Sequence, residues 1–361
     1  MPGLHDMLRS TAIGRMLSGR VLSVIALAGA LLAATGAGAE IFKKEDLLRG
    51  VTITRAQCDA TAQTLWLNVH GRDFCVRYYL STAGGEGPRP VVFVQGDQLG
   101  KFNPKTWTWT DPSDAKDVDT DDIMKMADGF SKMAKTTAIY LARIGVDGTS
   151  GNHLARKSLL ELELMNAALD AIKQRHGFQG FHLAGQSGGS KIVAGLIGLR
   201  RDIACAVIGS GPLVAPDSRK SADPGRTAFD ATENISQVAQ NRALRPIVVT
   251  DKADKTVPVG QQTGYVDRLH KAGRQVPQLF VEAPETTDAK HHGVAVYTEL
   301  VTAGCVLGRP DEEIARAVST LVKRNTEYNE RRRKEASAKT SILAAARAPV
   351  PDPAVATAGK K

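Results

Sequence analysis

The chain has 361 residues, room for one large domain or two small ones, and its 42% apolar content excludes a disordered protein. The net charge of +9 is uneven: residues 1–39 carry +2 and residues 323–361 carry +6, which leaves +1 for the body between them. A near-neutral body with a basic tail excludes the broad basic face of a nucleic-acid binder.

Taken from the N-terminus, Arg15 and Arg20 precede an uncharged stretch from Val21 to Ala39 that ends in Ala37-Gly38-Ala39. A basic flank, an apolar run and a small-x-small ending are the parts of a cleavable signal peptide, so residues 1–39 read as a signal and the mature chain begins at Glu40. An uncleaved anchor is the alternative, because the run is just long enough to span a bilayer. Export would let the four cysteines pair. Cys58 and Cys75 flank the first hairpin and are the expected pair. Cys205 and Cys305 lie in an apolar strand and an apolar helix, where a bridge and two buried thiols fit equally well. No CxxC spacing exists, so a zinc or thioredoxin-like site has no support.

Thr64–Val69 and Asp73–Leu80 read as the strands of a hairpin turning at His70, Gly71 and Arg72. Pro90–Gln95 is a short, mostly β-branched apolar run bounded by Pro and Gly, the pattern of a strand buried on both faces. Asp121–Ala134 reads as a helix and Thr136–Leu141 as another buried strand. Leu162, Met165, Leu169 and Ile172 form a helical stripe that Gly177 ends. Strand Phe178–Ala184, helix Gly188–Arg200 and strand Ile203–Ile208 follow. Beyond a polar stretch come strand Ile247–Thr250, helix Val259–Lys271, strand Gln278–Val281 and a final helix from about Gly293. Alternating strands and helices imply an α/β architecture: a mostly parallel central sheet with helices on both faces, an antiparallel N-terminal hairpin, and a small cap from Pro212–Leu244. Residues 40–325 make one domain. Residues 331–361 start with Arg331-Arg332-Arg333-Lys334, continue Ala/Pro-rich, and read as a disordered basic tail.

Gly185-Gln186-Ser187-Gly188-Gly189 matches G-x-S-x-G between an apolar strand and a small-residue helix start. Such a turn lifts a serine hydroxyl clear of the sheet, and the helix N-terminus favours the negative charge that develops on attack. A near-miss, Gly148-Thr149-Ser150-Gly151-Asn152, lacks both the last glycine and a preceding strand and is discounted. Downstream of the serine, strand Ile247–Thr250 is followed by Asp251 and Asp254. Asp254, already turned away from the strand, is the better orienting acid and Asp251 the runner-up. Only His291 and His292 lie beyond Val281, in the loop before the final helix. His292, nearer the helix, is the expected base. His182 reads as a packing residue, and His70, His153 and His176 as surface loop residues. Two N–H donors for an oxyanion would come from Gly188 and from the loop Gln95-Gly96-Asp97-Gln98-Leu99-Gly100, with Asp97 preferred and Gln98 next.

On these residues the chain resembles the α/β-hydrolase superfamily over roughly residues 64–325, and within it the esterase and prolyl-oligopeptidase-like branches. The segment Arg143–Gly151 resembles the loop after the fourth strand that borders the site in that superfamily. The oxyanion loop has Gln95-Gly96 where many members have His-Gly, and no propeller is present. The resemblance implies a serine hydrolase that cleaves a carboxylic ester through Ser187, His292 and Asp254 and an acyl-enzyme, and the N-terminal signal pattern adds export. A peptidase or amidase with the same residues is one alternative. A catalytically inactive hydrolase fold that serves as a binding module is the other, and the intact Ser, Asp and His in order argue against it. No metal or organic cofactor is implied. The partner is a small-molecule ester or short peptide, with no nucleic acid, and a membrane only if the N-terminal run is retained.

Overall fold

The computed structural model describes residues 40–98, 101–103, 108–111, 117–214, 221–283 and 291–347. The expected signal peptide, Leu99 and Gly100, and the last fourteen residues lie outside these.

Fifteen main elements follow one another: β1 (Thr64–Val69), β2 (Arg72–Ser81), β3 (Val91–Val94), α1 (Thr120–Ala134), β4 (Ala138–Leu141), α2 (Leu159–His176), β5 (Phe181–Gln186), α3 (Gly188–Leu199), β6 (Ile203–Gly209), α4 (Ile235–Gln240), β7 (Arg245–Asp251), α5 (Gly260–Lys271), β8 (Gln278–Val281), α6 (Ala295–Val306) and α7 (Asp311–Arg347). The eight strands form one sheet in the order β1-β2-β4-β3-β5-β6-β7-β8. Strands β3 to β8 are parallel, and β2 joins β4 antiparallel through Tyr78↔Leu141 to Ser81↔Ala138. The β1–β2 hairpin turns at His70 (φ 51°) and Gly71 (φ 71°), two consecutive left-handed residues that match the strand twist. Arg72 therefore opens the second strand instead of belonging to the turn.

Strands β3 and β4 are buried along their whole length. This is why their sequences run apolar without alternation. Leu162, Met165, Leu169 and Ile172 of α2, the apolar face of α3, and Tyr265, Val266 and Leu269 of α5 cover one face of the sheet. Phe130 and Ile123 of α1, Tyr297 and Val301 of α6, and Ile314 and Val318 of α7 cover the other. Ser158 caps α2 by accepting the Glu161 N–H at 3.2 Å, and Gly177 ends it at φ 69°. The described part of segment 212–244 packs Phe229, Ala231, Val238 and Ala239 into the core beside α3.

Two disulfides staple this body: Cys58–Cys75 (Cα–Cα 5.7 Å) and Cys205–Cys305 (Cα–Cα 6.3 Å). The second ties β6 to α6 across the sheet face.

The C-terminus corrects the sequence reading. Helix α7 continues through Arg347, so residues 331–347, assigned above to a disordered tail, are helical. Ala, Lys, Arg and Glu are strong helix formers, and a lack of apolar content argues against a core, not against a helix. The body also reaches past residue 325. Asn329 is fully buried and donates to Glu282 and the Ala283 carbonyl, both at 3.3 Å. From Arg331 to Glu335 the helix is exposed.

The topology fixes where chemistry can gather. The chain leaves β3 toward β4 on one side and β5 toward β6 on the other, so the order reverses between β3 and β5. A crevice opens at the carboxyl ends of strands at such a switch point. The loop Gln95–Gln98 follows β3, Ser187 follows β5, Asp254 follows β7, and His292 follows β8.

Candidate active site

Ser187 sits between β5 and α3 with φ 55° and ψ −122°, a conformation sparsely populated for a residue with a side chain. Holding it costs on the order of 1–3 kcal/mol, which the surrounding packing must impose. That packing is visible. The Ser187 N–H bonds the Gly209 carbonyl at 2.8 Å, and Ser190 Oγ bridges the Gly185 and Gly209 carbonyls. A Cβ on Gly189 would lie 2.0 Å from the Val94 carbonyl oxygen, and one on Gly185 would lie 2.7 Å from the Gly189 oxygen. Strand and helix can pass this closely only as glycine. Ser187 caps no N–H of α3 with its own side chain, so its hydroxyl is not committed to the helix. The N–H of Gly188, in the first turn, has no acceptor within the helix.

Asp254 follows β7 in a tight turn. Its Oδ1 accepts the N–H groups of Thr256 (2.8 Å) and Val257 (2.9 Å), and its Oδ2 lies 2.8 Å from His292 Nδ1. Burial pushes the Asp254 carboxyl up, but the hydrogen bonds from His292, Val257 and Thr256 outweigh it and hold the group below the usual carboxylate range. The other ring nitrogen, His292 Nε2, is buried and has no hydrogen-bond partner among the described residues. Gln186 Nε2 donates to the His292 carbonyl at 3.0 Å, which ties the residue before Ser187 to the histidine loop. The structure therefore brings Asp254 and His292 into direct contact and links them to the β5 turn. Ser187 Oγ and His292 Nε2 are not hydrogen-bonded to each other.

The second pair behaves differently. His291 Nδ1 is 3.4 Å from Asp251 Oδ2 without a hydrogen bond, and His291 adopts φ 54°. Asp251 spends its oxygens on the N–H groups of Ala253 (2.8 Å) and Ala283 (2.7 Å). The two histidines are similarly shielded, with side chains 15% and 17% exposed, so exposure does not separate them; the hydrogen bond to a carboxylate does.

The loop after β3 lies against the serine. A Cβ on Gly96 would be 3.1 Å from Ser187 Cβ, and one on Gly188 would be 2.0 Å from Asp97 Oδ1. The Asp97 carboxylate is held by Arg143 Nη1 (2.8 Å), Arg156 Nε (3.1 Å) and Lys157 Nζ. Burial would raise its pKa, but Lys157, Arg143 and Arg156 hold it well below the usual range. Arg143, buried itself, forms a bidentate pair with buried Glu161 at 3.0 and 2.8 Å. The sequence reading missed this cluster. Its one signal is a charged residue, Arg143, directly after the apolar run Ala138–Ala142.

Of the remaining candidates, Ser150 is buried and its Oγ accepts the Cys75 N–H at 2.8 Å, a structural bond within the body. His182 lies in β5, where burial lowers its pKa to about 4. His153 corrects its assignment to the surface: it is fully buried, with Nδ1 2.8 Å from the Ile144 carbonyl, because Asn152 caps a short 3₁₀ turn that folds inward. Among the described residues, no group of three or more His, Cys, Asp or Glu side chains is placed to hold a metal ion.

No protein-family model and no curated protein matches the sequence. Solved structures similar to it include Est1E from Butyrivibrio proteoclasticus (11% identity over 68% of this chain and 97% of that one, TM-score 0.44). Another is an esterase of Pyrococcus furiosus (10% identity, 72% and 95% covered, TM-score 0.48). A third is the acylaminoacyl peptidase of Pyrococcus horikoshii (11% identity, 63% of this chain, 38% of that one, TM-score 0.43). The chain's own topology carries the assignment of architecture. With its mostly parallel eight-stranded sheet, antiparallel N-terminal hairpin, helices on both faces and strained serine between strand and helix, the chain has the α/β-hydrolase fold.

Proposed function

We propose that this chain is an exported serine hydrolase that cleaves carboxylic esters. The observation that carries the reading is the β5–α3 turn. Ser187 stands there in a strained backbone with an uncommitted hydroxyl, while its neighbour Gln186 anchors the loop of the Asp254-paired His292. Strain of this kind persists where the surroundings enforce it, and it concentrates at sites that use the exposed side chain.

In this mechanism Ser187 Oγ attacks the ester carbonyl and passes its proton to His292 Nε2. Asp254 keeps the other ring proton on Nδ1 and stabilises the imidazolium that forms. The N–H groups of Gly188 and Asp97 receive the developing oxyanion, aided by the N-terminus of α3. His292 then returns the proton to the leaving alcohol, and water repeats the sequence on the acyl-enzyme. Two disulfides in a stapled body and the apolar run before Glu40 both support an oxidising, extracytoplasmic location.

Labelling with a fluorophosphonate probe tests the reading. The purified protein should be labelled at Ser187 and should hydrolyse p-nitrophenyl esters, and Ser187→Ala should do neither. Absence of labelling in the folded wild type would remove the hydrolase reading and leave the binding module.

A further inference from the structure

In the proposed mechanism four residues, Gln95 to Gln98, present the second oxyanion N–H, and every polar side chain among them is held by one distant segment. The centre is held by charge: Asp97 meets Arg143, Arg156 and Lys157, and Arg143 Nη1 also donates to the Gln95 carbonyl at 3.2 Å. The ends are held by one neutral-to-acidic unit. Gln98 Nε2 donates to Asp147 Oδ2 at 2.8 Å, and Tyr140 Oη donates to the same oxygen at 2.7 Å. Tyr140 Oη shares its single proton between that oxygen and Gln95 Oε1. Asp147 is itself fixed from behind, because Tyr79 Oη donates to its carbonyl at 2.9 Å and its left-handed φ of 51° is set by the turn between Gly145 and Gly148. It is 3% exposed, and among the described residues its Oδ1 has no partner. A buried carboxyl group with a spare oxygen is costly. Its retention calls for a task, and Asp147 is not within the mechanism above.

We propose that Asp147 is a positioning residue for the oxyanion-binding loop, pinning Gln95 through Tyr140 and Gln98 directly, so that the N–H of Asp97 stays aimed at the carbonyl oxygen that becomes the oxyanion when Ser187 attacks. The proposal rests on the serine hydrolase reading. The Asp97 N–H lies between the two pinned ends, and an oxyanion donor works only when held in place before charge develops, since a donor that must reorganise loses most of its effect. Charge alone does not do this. The cations fix the Asp97 carboxylate, but the peptide plane that carries its N–H can still rock about the Cα bonds on either side unless the side chains of Gln95 and Gln98 are also held. Ground-state binding of an ester draws little on this donor, so loosening it should act on the transition state.

The test uses Tyr140→Phe, Gln98→Ala, Asp147→Ala and Asp147→Asn in the full chain, with p-nitrophenyl acetate turnover and the rate of fluorophosphonate labelling at Ser187 as readouts. Tyr140→Phe keeps the ring that packs against Tyr79 and Phe93 and removes only the hydroxyl, so it guards against a variant that merely fails to fold. Each single-limb variant should lower kcat and the labelling rate about tenfold, and Asp147→Ala about a hundredfold, with KM moving much less. Asp147→Asn, which keeps an oxygen for Tyr140 and Gln98, should recover much of the loss. Unchanged kcat in the folded variants would overturn the proposal, as would a loss that falls on KM or follows the melting temperature alone. If the wild type is not labelled at Ser187 at all, the hydrolase reading fails first and the clamp falls with it.

Discussion

Replacing Asp254 by Asn changes one atom, and the structure says which way the new amide must turn. Oδ1 accepts two backbone N–H groups, from Thr256 and Val257 at 2.8 and 2.9 Å. An Asn has only one oxygen to offer. Turning its NH₂ toward those donors would leave both without that acceptor, at about 1–3 kcal/mol for the part-buried Val257 N–H and less for the exposed Thr256 N–H, which water can reach. The oxygen therefore stays where Oδ1 was, and the NH₂ faces His292 Nδ1, 2.8 Å from the original Oδ2. An NH₂ can only donate, so Nδ1 must accept and the ring proton moves to Nε2. A protonated Nε2 cannot take the Ser187 proton. The wrong tautomer costs about 10⁴ in kcat, or about 5 kcal/mol at 1.36 kcal/mol per decade. Steady-state hydrolysis of p-nitrophenyl acetate measures it, alongside a melting curve that should barely move because the shape is conserved. Asp251→Asn is the matched control, and it should keep most of its activity. An Asp254→Asn enzyme within tenfold of wild type would refute the assignment of the acid, and equal losses in both variants would show that the two turns are merely structural.

Three further outcomes are expected. His292→Ala should lower acylation by several orders of magnitude, comparable to Ser187→Ala, because groups that act as a unit fail as a unit, while His291→Ala should cost far less; single-turnover labelling separates the two. Replacing the Cys205–Cys305 pair by serine opens a loop with a sequence separation of 100 and should cost about 4–5 kcal/mol, against about 3 for Cys58–Cys75 with its separation of 17; denaturant midpoints that rank the pairs the other way would contradict the chain-entropy account. Deleting residues 334–361 should leave turnover and melting temperature in place, whereas a cut before Asn325 should lower the melting temperature, since Asn325 donates to Tyr297 Oη at 2.6 Å and Asn329 is buried.

What the sequence disclosed and what it hid follow from the physics of each element. The buried strands were legible because β3 and β4 see core on both faces and carry apolar side chains throughout but for the Tyr140 hydroxyl. The turn at Ser187 was legible because two backbones pass within contact at Gly185 and Gly189, and only glycine permits that. The ends of α7 were not legible, because an exposed helix is held by propensity and by a few anchors such as Ile314 and Asn329, which make no strong period. Buried polar residues were hidden for a related reason. Nothing in the string distinguishes His153 from a surface residue, and Arg143 shows only its place directly after an apolar run, since what makes each tolerable inside is a partner elsewhere in the chain: the Ile144 carbonyl for one, Glu161 and Asp97 for the other. Asp97 was read only for its backbone N–H, and its carboxylate proved to be the best-held group on the loop.

The Arg143–Glu161 pair poses the question of why such a cluster is kept. Both side chains are out of solvent, at 1% and 0% exposure. Removing two charges from water costs several kcal/mol per ion, and their attraction roughly repays it, so a pair of this kind is weak evidence for stability. If stability were its purpose, Arg143→Met with Glu161→Leu should weaken the fold. If the pair exists to aim the Arg143 guanidinium at Asp97 Oδ1 and the Gln95 carbonyl, the double variant should fold about as well as the wild type and lose turnover. The single variant Arg143→Met separates the two further: it strands Glu161 as an unpaired buried charge and should cost about 3–5 kcal/mol in stability. Arg143→Lys should not rescue activity, because one ammonium cannot serve Glu161 with two bonds while also reaching Asp97 and Gln95. Urea unfolding and p-nitrophenyl acetate turnover on the same preparations decide it. A double variant that is as unstable as the single one would assign the pair to stability, and a stable double variant with full kcat would remove it from the site.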